Sequence, residues 1–147
     1  MERVRVALVI RLPGFDELAF RWWSVAPILK KATDRAGGTY EPVDVLRDAF
    51  GGQVGIWFIE DEKEDIVAVA VAGVRQFPRK RVLQISFVAG KRLAEWWPIF
   101  VKEMDALARK ANATAIYAYG RPGWIRFWKS RGIAQHVTSE CLIRTME

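Results

Sequence analysis

The chain has 147 residues, 51% apolar and 27% charged, and its seven Trp and eight Phe supply bulk for one packed core, which argues against intrinsic disorder. A single cysteine, Cys141, excludes an internal disulfide, and with His136 as the one histidine the usual His/Cys zinc site is excluded too. The formal net charge of +6 fits either a solvated basic surface or attraction to phosphates, and the longest apolar run, residues 66–74, is too short to span a membrane.

Residues 4–12 place Val4, Val6, Leu8 and Ile10 in alternation, a period of two that predicts a strand ended by Pro13-Gly14. The charged start of the chain is not expected to be a signal peptide. Phe15, Leu18, Ala19, Trp22, Ala26 and Leu29 recur every three or four residues, an amphipathic helix with Asp16 as candidate N-cap. Pro27 inside it predicts two short helices joined near Ser24. Ala36-Gly37-Gly38-Thr39 is a turn, and residues 42–50 form another helix, with Pro42 near its start and Gly51-Gly52 past its end.

Residues 53–59 read as a strand, and the charged run 60–65 as a solvated hairpin loop rather than an acidic site. The β-branched run 66–74 predicts a strand buried on both faces. Residues 76–81 form a basic turn containing Pro78. The strand at 82–88 is expected to put Leu83, Ile85 and Phe87 on one face and Gln84 and Ser86 on the other. Gly90 ends it. Leu93, Trp97, Phe100, Met104, Leu107 and Ala111 then mark a helix over 91–111, with an Asp105–Arg109 pair on its exposed side and a kink or a start at Pro98. A short strand at 115–119, a turn and helix over 120–131 closed by Gly132, and a last strand over 133–146 complete the order β-α-α-β-β-β-α-β-α-β. Neither repeat nor linker interrupts it, so one α/β domain over 1–147, a mixed sheet flanked by helices, is expected.

The segment Ile116-Tyr117-Ala118-Tyr119-Gly120-Arg121-Pro122-Gly123-Trp124-Ile125-Arg126-Phe127-Trp128-Lys129-Ser130-Arg131-Gly132-Ile133, taken with the element order, resembles the closing strand and helix of the GNAT superfamily of acyl-coenzyme A-dependent N-acyltransferases. Its Gly-Arg-x-Gly-Trp form is similar to that of small GNAT-like proteins encoded by tailed bacteriophages. The resemblance covers roughly residues 53–147, with the earlier elements compatible. It implies a mostly antiparallel sheet of about six to seven strands flanked by about four helices. It also implies a wedge between strands 82–88 and 115–119 that takes acetyl-CoA or another acyl-CoA. Phe87, Val88, Ala89, Gly90, Lys91 and Arg92 are the implied coenzyme-binding residues, with the pyrophosphate at the start of the following helix.

The chain departs from the family pattern in three places. The pyrophosphate motif Arg/Gln-x-x-Gly-x-Gly/Ala is matched by Val88-Ala89-Gly90-Lys91-Arg92-Leu93, with one glycine and a shorter loop. Trp128 stands where a tyrosine general acid is common, and an indole cannot hand over a proton. Gln84 and Ser86 stand on the strand that often carries a glutamate base. Gln84, Ser86, Tyr119 and Trp128 are therefore the candidate cleft residues, with Tyr117 and His136 as further substitutes. Whether the chain transfers an acyl group to an amine stays open at this stage.

Two other functions fit the residues. Trp124 near Arg121, Arg126 and Lys129 suggests a surface for a phage or host protein, with the fold serving as a non-catalytic virion, assembly or host-interaction scaffold. The same basic and aromatic residues also suit nucleic acid. Of the pairs Trp22-Trp23 and Trp96-Trp97, one member each is expected in the core. No metal and no membrane partner is expected, and the expected location is the cytoplasm, of a host if the chain is phage-encoded, or the virion.

Overall fold

A computed structural model describes residues 8–119, 122–132, 136–137 and 141–146. The predicted strand residues 4–7, as well as Gly120 and Arg121, lie outside the described residues, and so do the side chains of His136 and Cys141.

The alternating and β-branched runs become strands β1 (Val9–Arg11), β2 (Gly55–Glu60), β3 (Ile66–Gln76), β4 (Arg81–Gly90), β5 (Ala115–Tyr119), β6 (His136–Val137) and β7 (Cys141–Thr145). They form one sheet in the order β1-β2-β3-β4-β5-β7-β6. Every pairing is antiparallel except β4 with β5, which are parallel and joined by a crossover through α4 (Leu93–Lys110). The last predicted strand is thus two, β6 and β7, paired with each other.

Helices cover both faces of the sheet. α1 (Phe15–Phe20), α2 (Trp22–Asp34) and α3 (Pro42–Phe50) pack on one side, where Leu18, Val25, Leu29, Val45 and Ala49 meet Phe58, Val69, Val71 and Ala89. α4 and α5 (Pro122–Ser130) pack on the other, where Trp96, Phe100, Met104, Trp124 and Trp128 meet Leu83, Ile85, Ile116 and Ala118. β3 is buried on both faces, as its composition predicts, and it divides them by size. Ala68, Ala70 and Ala72 face the tryptophans, which need the room, whereas Val69 and Val71 face the smaller helices. Among the described residues no helix is long and apolar enough to cross a membrane.

Several local expectations are corrected. The first helical stretch divides in two as expected, but at Arg21 rather than near Ser24. Arg21 is tied to Glu60 on β2 while Leu18 and Val25 on either side must both face the core. Asp16 lies in the first turn of α1, and Gly14 is the N-cap. Pro27 and Pro98 both stay inside their helices. Each is exposed, as is the residue four positions before it, Trp23 or Ala94, so the carbonyl that the proline leaves unbonded can be solvated. The buried stripe of α4 is Trp96, Phe100, Met104 and Ala108, a pure four-residue repeat. Trp96 therefore takes the core place expected of Trp97. Asp105 pairs with Arg144 of β7 instead of Arg109, through two hydrogen bonds of 2.9 Å. A fork from another element holds a carboxylate better than an exposed neighbour on the same helix.

Candidate functional site

The site begins where β4 and β5 stop pairing. Val82, Leu83, Gln84 and Ile85 sit opposite Ala115, Ile116, Tyr117 and Ala118, and the ladder ends there. Ser86 and Tyr119 come next and are not partners, while β4 runs on to Gly90 paired only with β3. The cause is a β-bulge. Val71 of β3 faces Phe87 and the adjacent Ala72 faces Ile85, which leaves Ser86 as an extra residue.

The bulge also resets the side-chain alternation. Ile85 and Val88 point into the core under α4 and α5, whereas Ser86 and Phe87 both point to the side of α2 and α3. Phe87 therefore shares a face with Gln84, against the simple alternation predicted from sequence. On the far side of the bulge, Lys91 N–H donates to Val67 C=O at 2.9 Å, which sets the phase of the β3–β4 ladder. That phase turns the peptide groups of Phe87 and Ala89 toward β3 and those of Val88 toward the gap beside β5.

On the α2–α3 side the gap opens into a cleft of about 650 Å³. Gln84, Ser86, Phe87, Val88 and Tyr119 line its floor, and Tyr40, Arg35, Asp48 and Arg75 its walls. Gln84 donates its amide N–H to Ser86 Oγ at 3.1 Å, and Tyr40 packs edge-on against Phe87 with ring centroids 5.6 Å apart. Of the four predicted cleft residues, this arrangement unites Gln84, Ser86 and Tyr119. Trp128 is not on this wall. It lies in the core on the opposite face of the sheet, only 2% exposed, in a cluster with Ile85, Val88 and Ala118, which flank the point where β4 and β5 part. Its indole N–H has no hydrogen-bond partner among the described residues.

The turn from β4 into α4 is tight. Gly90 has φ +126°, and a Cβ there would meet Ala68 Cα and Val67 O, each at 2.4 Å, so only glycine fits. Arg92 follows in the left-handed region at φ +64° and caps the helix without a side-chain bond. Trp96 Nε1 donates to Lys91 C=O at 2.9 Å and pins the turn from below. Arg92 itself forks onto Glu95 at 2.5 and 3.0 Å. That hydrogen-bonded pair raises the Arg92 pKa above its ordinary value, and the nearby Asp61 and Glu62 add to it. Of the two cations expected to meet a phosphate, Lys91 and Arg92, the second already has a carboxylate.

A second polar cluster, unforeseen from the sequence, lies at the end of β2. Glu60 is 5% exposed and accepts hydrogen bonds from Arg11 and Arg21, and Arg11 also forks onto Glu17. Burial pushes the Glu60 carboxyl upward, but the two guanidinium hydrogen bonds more than offset it and hold the group below its ordinary range. Asp61–Asp65, the rest of that charged run, is the expected hairpin loop, with Asp61 Oδ1 accepting from the Lys63 and Asp65 amides.

No protein-family model and no curated protein matches the sequence. Among solved structures, the chain is similar to a GNAT-family acetyltransferase of Staphylococcus aureus Mu50, at TM-score 0.64 and 10% identity over 96% of this chain and 100% of that one. It is similar to YhbS, a GNAT-family N-acetyltransferase of Escherichia coli in complex with CoA, at TM-score 0.61 and 8% identity over 99% and 84%. A mutant of the BH1408 protein from Bacillus halodurans matches at TM-score 0.65 and 16% identity over 88% and 96%. The chain has the GNAT acetyltransferase fold. At identities this low the likeness is one of fold.

Within this GNAT fold the predicted partner surface is only partly at the surface. Arg126 and Lys129 are exposed on α5, but Trp124 is 8% exposed and packs edge-on against Trp96 at 6.3 Å. It fills the core because the alanines of β3 leave space under α4 and α5. Trp23, by contrast, is 85% exposed. Tyr40, Arg35 and Arg75, which wall the cleft, had no sequence signal, since they come from a loop, a helix end and a strand end far from the GNAT-like segment.

Proposed function

We propose that this GNAT-fold chain binds an acyl-coenzyme A in the gap beyond Ile85 and Ala118 and passes the acyl group to an amine held in the cleft. The observation that supports this most is the early end of the β4–β5 ladder, which leaves the far edge of β4 open beside a polar cleft. Bound acyl-coenzyme A supplies a thioester carbonyl that an amine nitrogen can attack. The chain has groups that fit it. The Val88 peptide faces the gap with one donor and one acceptor, which suits an amide-bearing arm. The buried Trp128 N–H has no acceptor of its own, and a carbonyl or sulfur in the gap would provide one. Phe87, Ala89 and Gly90 shape the wall, and Lys91 and Arg92 stand where the diphosphate would lie.

Gln84 and Ser86 orient the acceptor, since neither is a base at neutral pH. As the C–N bond forms and the C–S bond breaks, Tyr119, on the cleft face of β5, gives its phenol proton to the departing sulfur, and the phenolate takes up the proton that the acylated nitrogen sheds. Among the described residues the one carboxylate lining the cleft is Asp48, on its wall rather than its floor beside Gln84 and Ser86, so the amine is expected to arrive neutral. The rate rises with pH until the amine is deprotonated, and positioning supplies most of the acceleration. Titration calorimetry with acetyl-CoA tests the binding step, and thiol release with a panel of amines tests the transfer. Saturable heat is expected. Absence of heat at millimolar ligand would end this reading.

The Arg92–Glu95 pair favours a second reading, in which the GNAT fold serves as a scaffold for a protein partner and transfers nothing. The surface would then be the exposed cations of α5, Arg126 and Lys129. A partner that co-purifies with the parent and is lost with Arg126→Ala and Lys129→Ala supports it.

A further inference from the structure

The β3–β4 hairpin lies at the other end of β4 from the proposed coenzyme gap. The gap opens at Ser86, five residues or about 17 Å along the strand from Arg81, and the α4 turn at Gly90 is about 30 Å away. The segment Arg75-Gln76-Phe77-Pro78-Arg79-Lys80-Arg81 carries four cations and no acid, and all of it is exposed. Arg81 is locked in place, donating to Gln76 Oε1 and to Ala111 C=O, both at 2.9 Å. The second bond holds the hairpin against the end of α4 and adds the exposed Arg109 and Lys110 to the patch. Among the described residues none of these six cations forms an ion pair.

An aromatic platform lies among them. Phe77 is 41% exposed at the hairpin tip, and its ring stands 6.4 Å from that of Tyr117 with only 32° between the planes. Lys80 Nζ lies 5.0 Å from the Tyr117 centroid. Six unpaired cations repel one another, and an exposed ring wastes apolar surface. An acidic protein would relieve the first cost only. A bilayer would call for rings that project, whereas Phe77 leans on Tyr117 with the ring planes 32° apart. A chain of phosphates carrying flat bases relieves both costs.

We propose that this hairpin is a binding site for single-stranded nucleic acid. Arg75, Arg79, Lys80 and the end of α4 meet phosphates, and Phe77 stacks on a base. Arg75 also walls the cleft proposed to hold the amine, so the two sites adjoin, but the test uses no coenzyme and reads the hairpin alone. Fluorescence anisotropy with a labelled oligo(dT) of about 16 nucleotides should give saturable binding at low salt. Four to six phosphate contacts predict a slope of log K against log salt of about −3 to −4. Phe77→Leu keeps the apolar contact but loses the stack, and should weaken binding roughly ten-fold without changing the slope. Phe77→Trp should bind at least as well as the parent. Arg79→Gln with Lys80→Gln should flatten the slope by about 1.4. The proposal is overturned by absence of binding at low salt, or by equal binding of the folded Phe77→Leu variant. Competition by polyglutamate or anionic vesicles as effective, charge for charge, as the oligonucleotide would also overturn it.

Discussion

Replacing Trp128 with Phe separates its two roles, filling the core and offering a hydrogen bond. The indole N–H is buried and has no partner among the described residues, so it carries a desolvation cost of about 1–3 kcal/mol that Phe does not. The smaller ring leaves a void under α5 that costs about 1–2 kcal/mol. The two nearly cancel. The variant should fall between about 1 kcal/mol less stable and about 2 kcal/mol more stable than the parent, where losing the whole ring would cost about 3–5 kcal/mol. Ligand binding should move the other way. If a carbonyl or sulfur of acyl-coenzyme A accepts from this N–H, its loss removes a net 0.5–1.5 kcal/mol, roughly a two- to twelve-fold weaker Kd. Thermal unfolding without ligand measures the first effect, and titration calorimetry with acetyl-CoA the second. A folded variant that binds acetyl-CoA as tightly as the parent refutes the assignment of this N–H to the coenzyme. A loss of more than about 3 kcal/mol without ligand refutes the claim that it is an orphan.

Three further perturbations bear on the same structure. Glu95→Gln frees Arg92 for an anion, and in the coenzyme reading it should tighten acetyl-CoA binding by about two- to five-fold at low salt, an effect that calorimetry at raised ionic strength should erase. Gly90→Ala drives a Cβ into β3 at a positive φ and should cost at least about 3 kcal/mol, a Tm loss near 6–12 °C by calorimetry. Glu60→Gln leaves Arg11 and Arg21 facing a neutral group and should cost about 2–3 kcal/mol, less than a fully buried pair because both arginines are partly solvated. Glu60 and Glu17 both titrate below the ordinary carboxyl range when folded, so the unfolded chain binds the proton first as pH falls. Their contribution is full above the unfolded carboxyl pKa and disappears as pH drops through the lowered values. Acid unfolding should begin below about pH 4.5, and Glu60→Gln should shift its midpoint upward in a circular-dichroism titration with a smaller pH slope.

What the sequence discloses and what it hides follow from how far each interaction reaches along the chain. Period-two and period-four patterns are local, so the strands predicted at 53–59, 66–74, 82–88 and 115–119 and the long helix find the bodies of β2, β3, β4, β5 and α4, though not their ends. The order of elements could then be matched to the GNAT fold. The bulge at Ser86 could not be read, because it is a property of two strands together. One extra residue in β4 shows only when Val71 and Ala72 are laid opposite, and the same residue decides both where the β4–β5 ladder ends and which way Phe87 points. The charges follow the same rule. Glu60 opens an acidic run and looks like loop. It is the buried end of β2, and its partners Arg11 and Arg21 stand 49 and 39 residues earlier. Arg92 looks like a phosphate ligand until Glu95, one turn on, is seen to hold it. Composition names the charged groups available, but pairing decides which of them remain for a ligand. The α4 turn has spent Arg92 on Glu95 and keeps Lys91, whereas the hairpin at 75–81 has kept all four of its cations. An anion that must choose between the two ends of β4 on charge alone goes to the hairpin. In the coenzyme reading, a ligand at the other end would rely on Lys91 together with backbone and buried donors such as Val88 and Trp128.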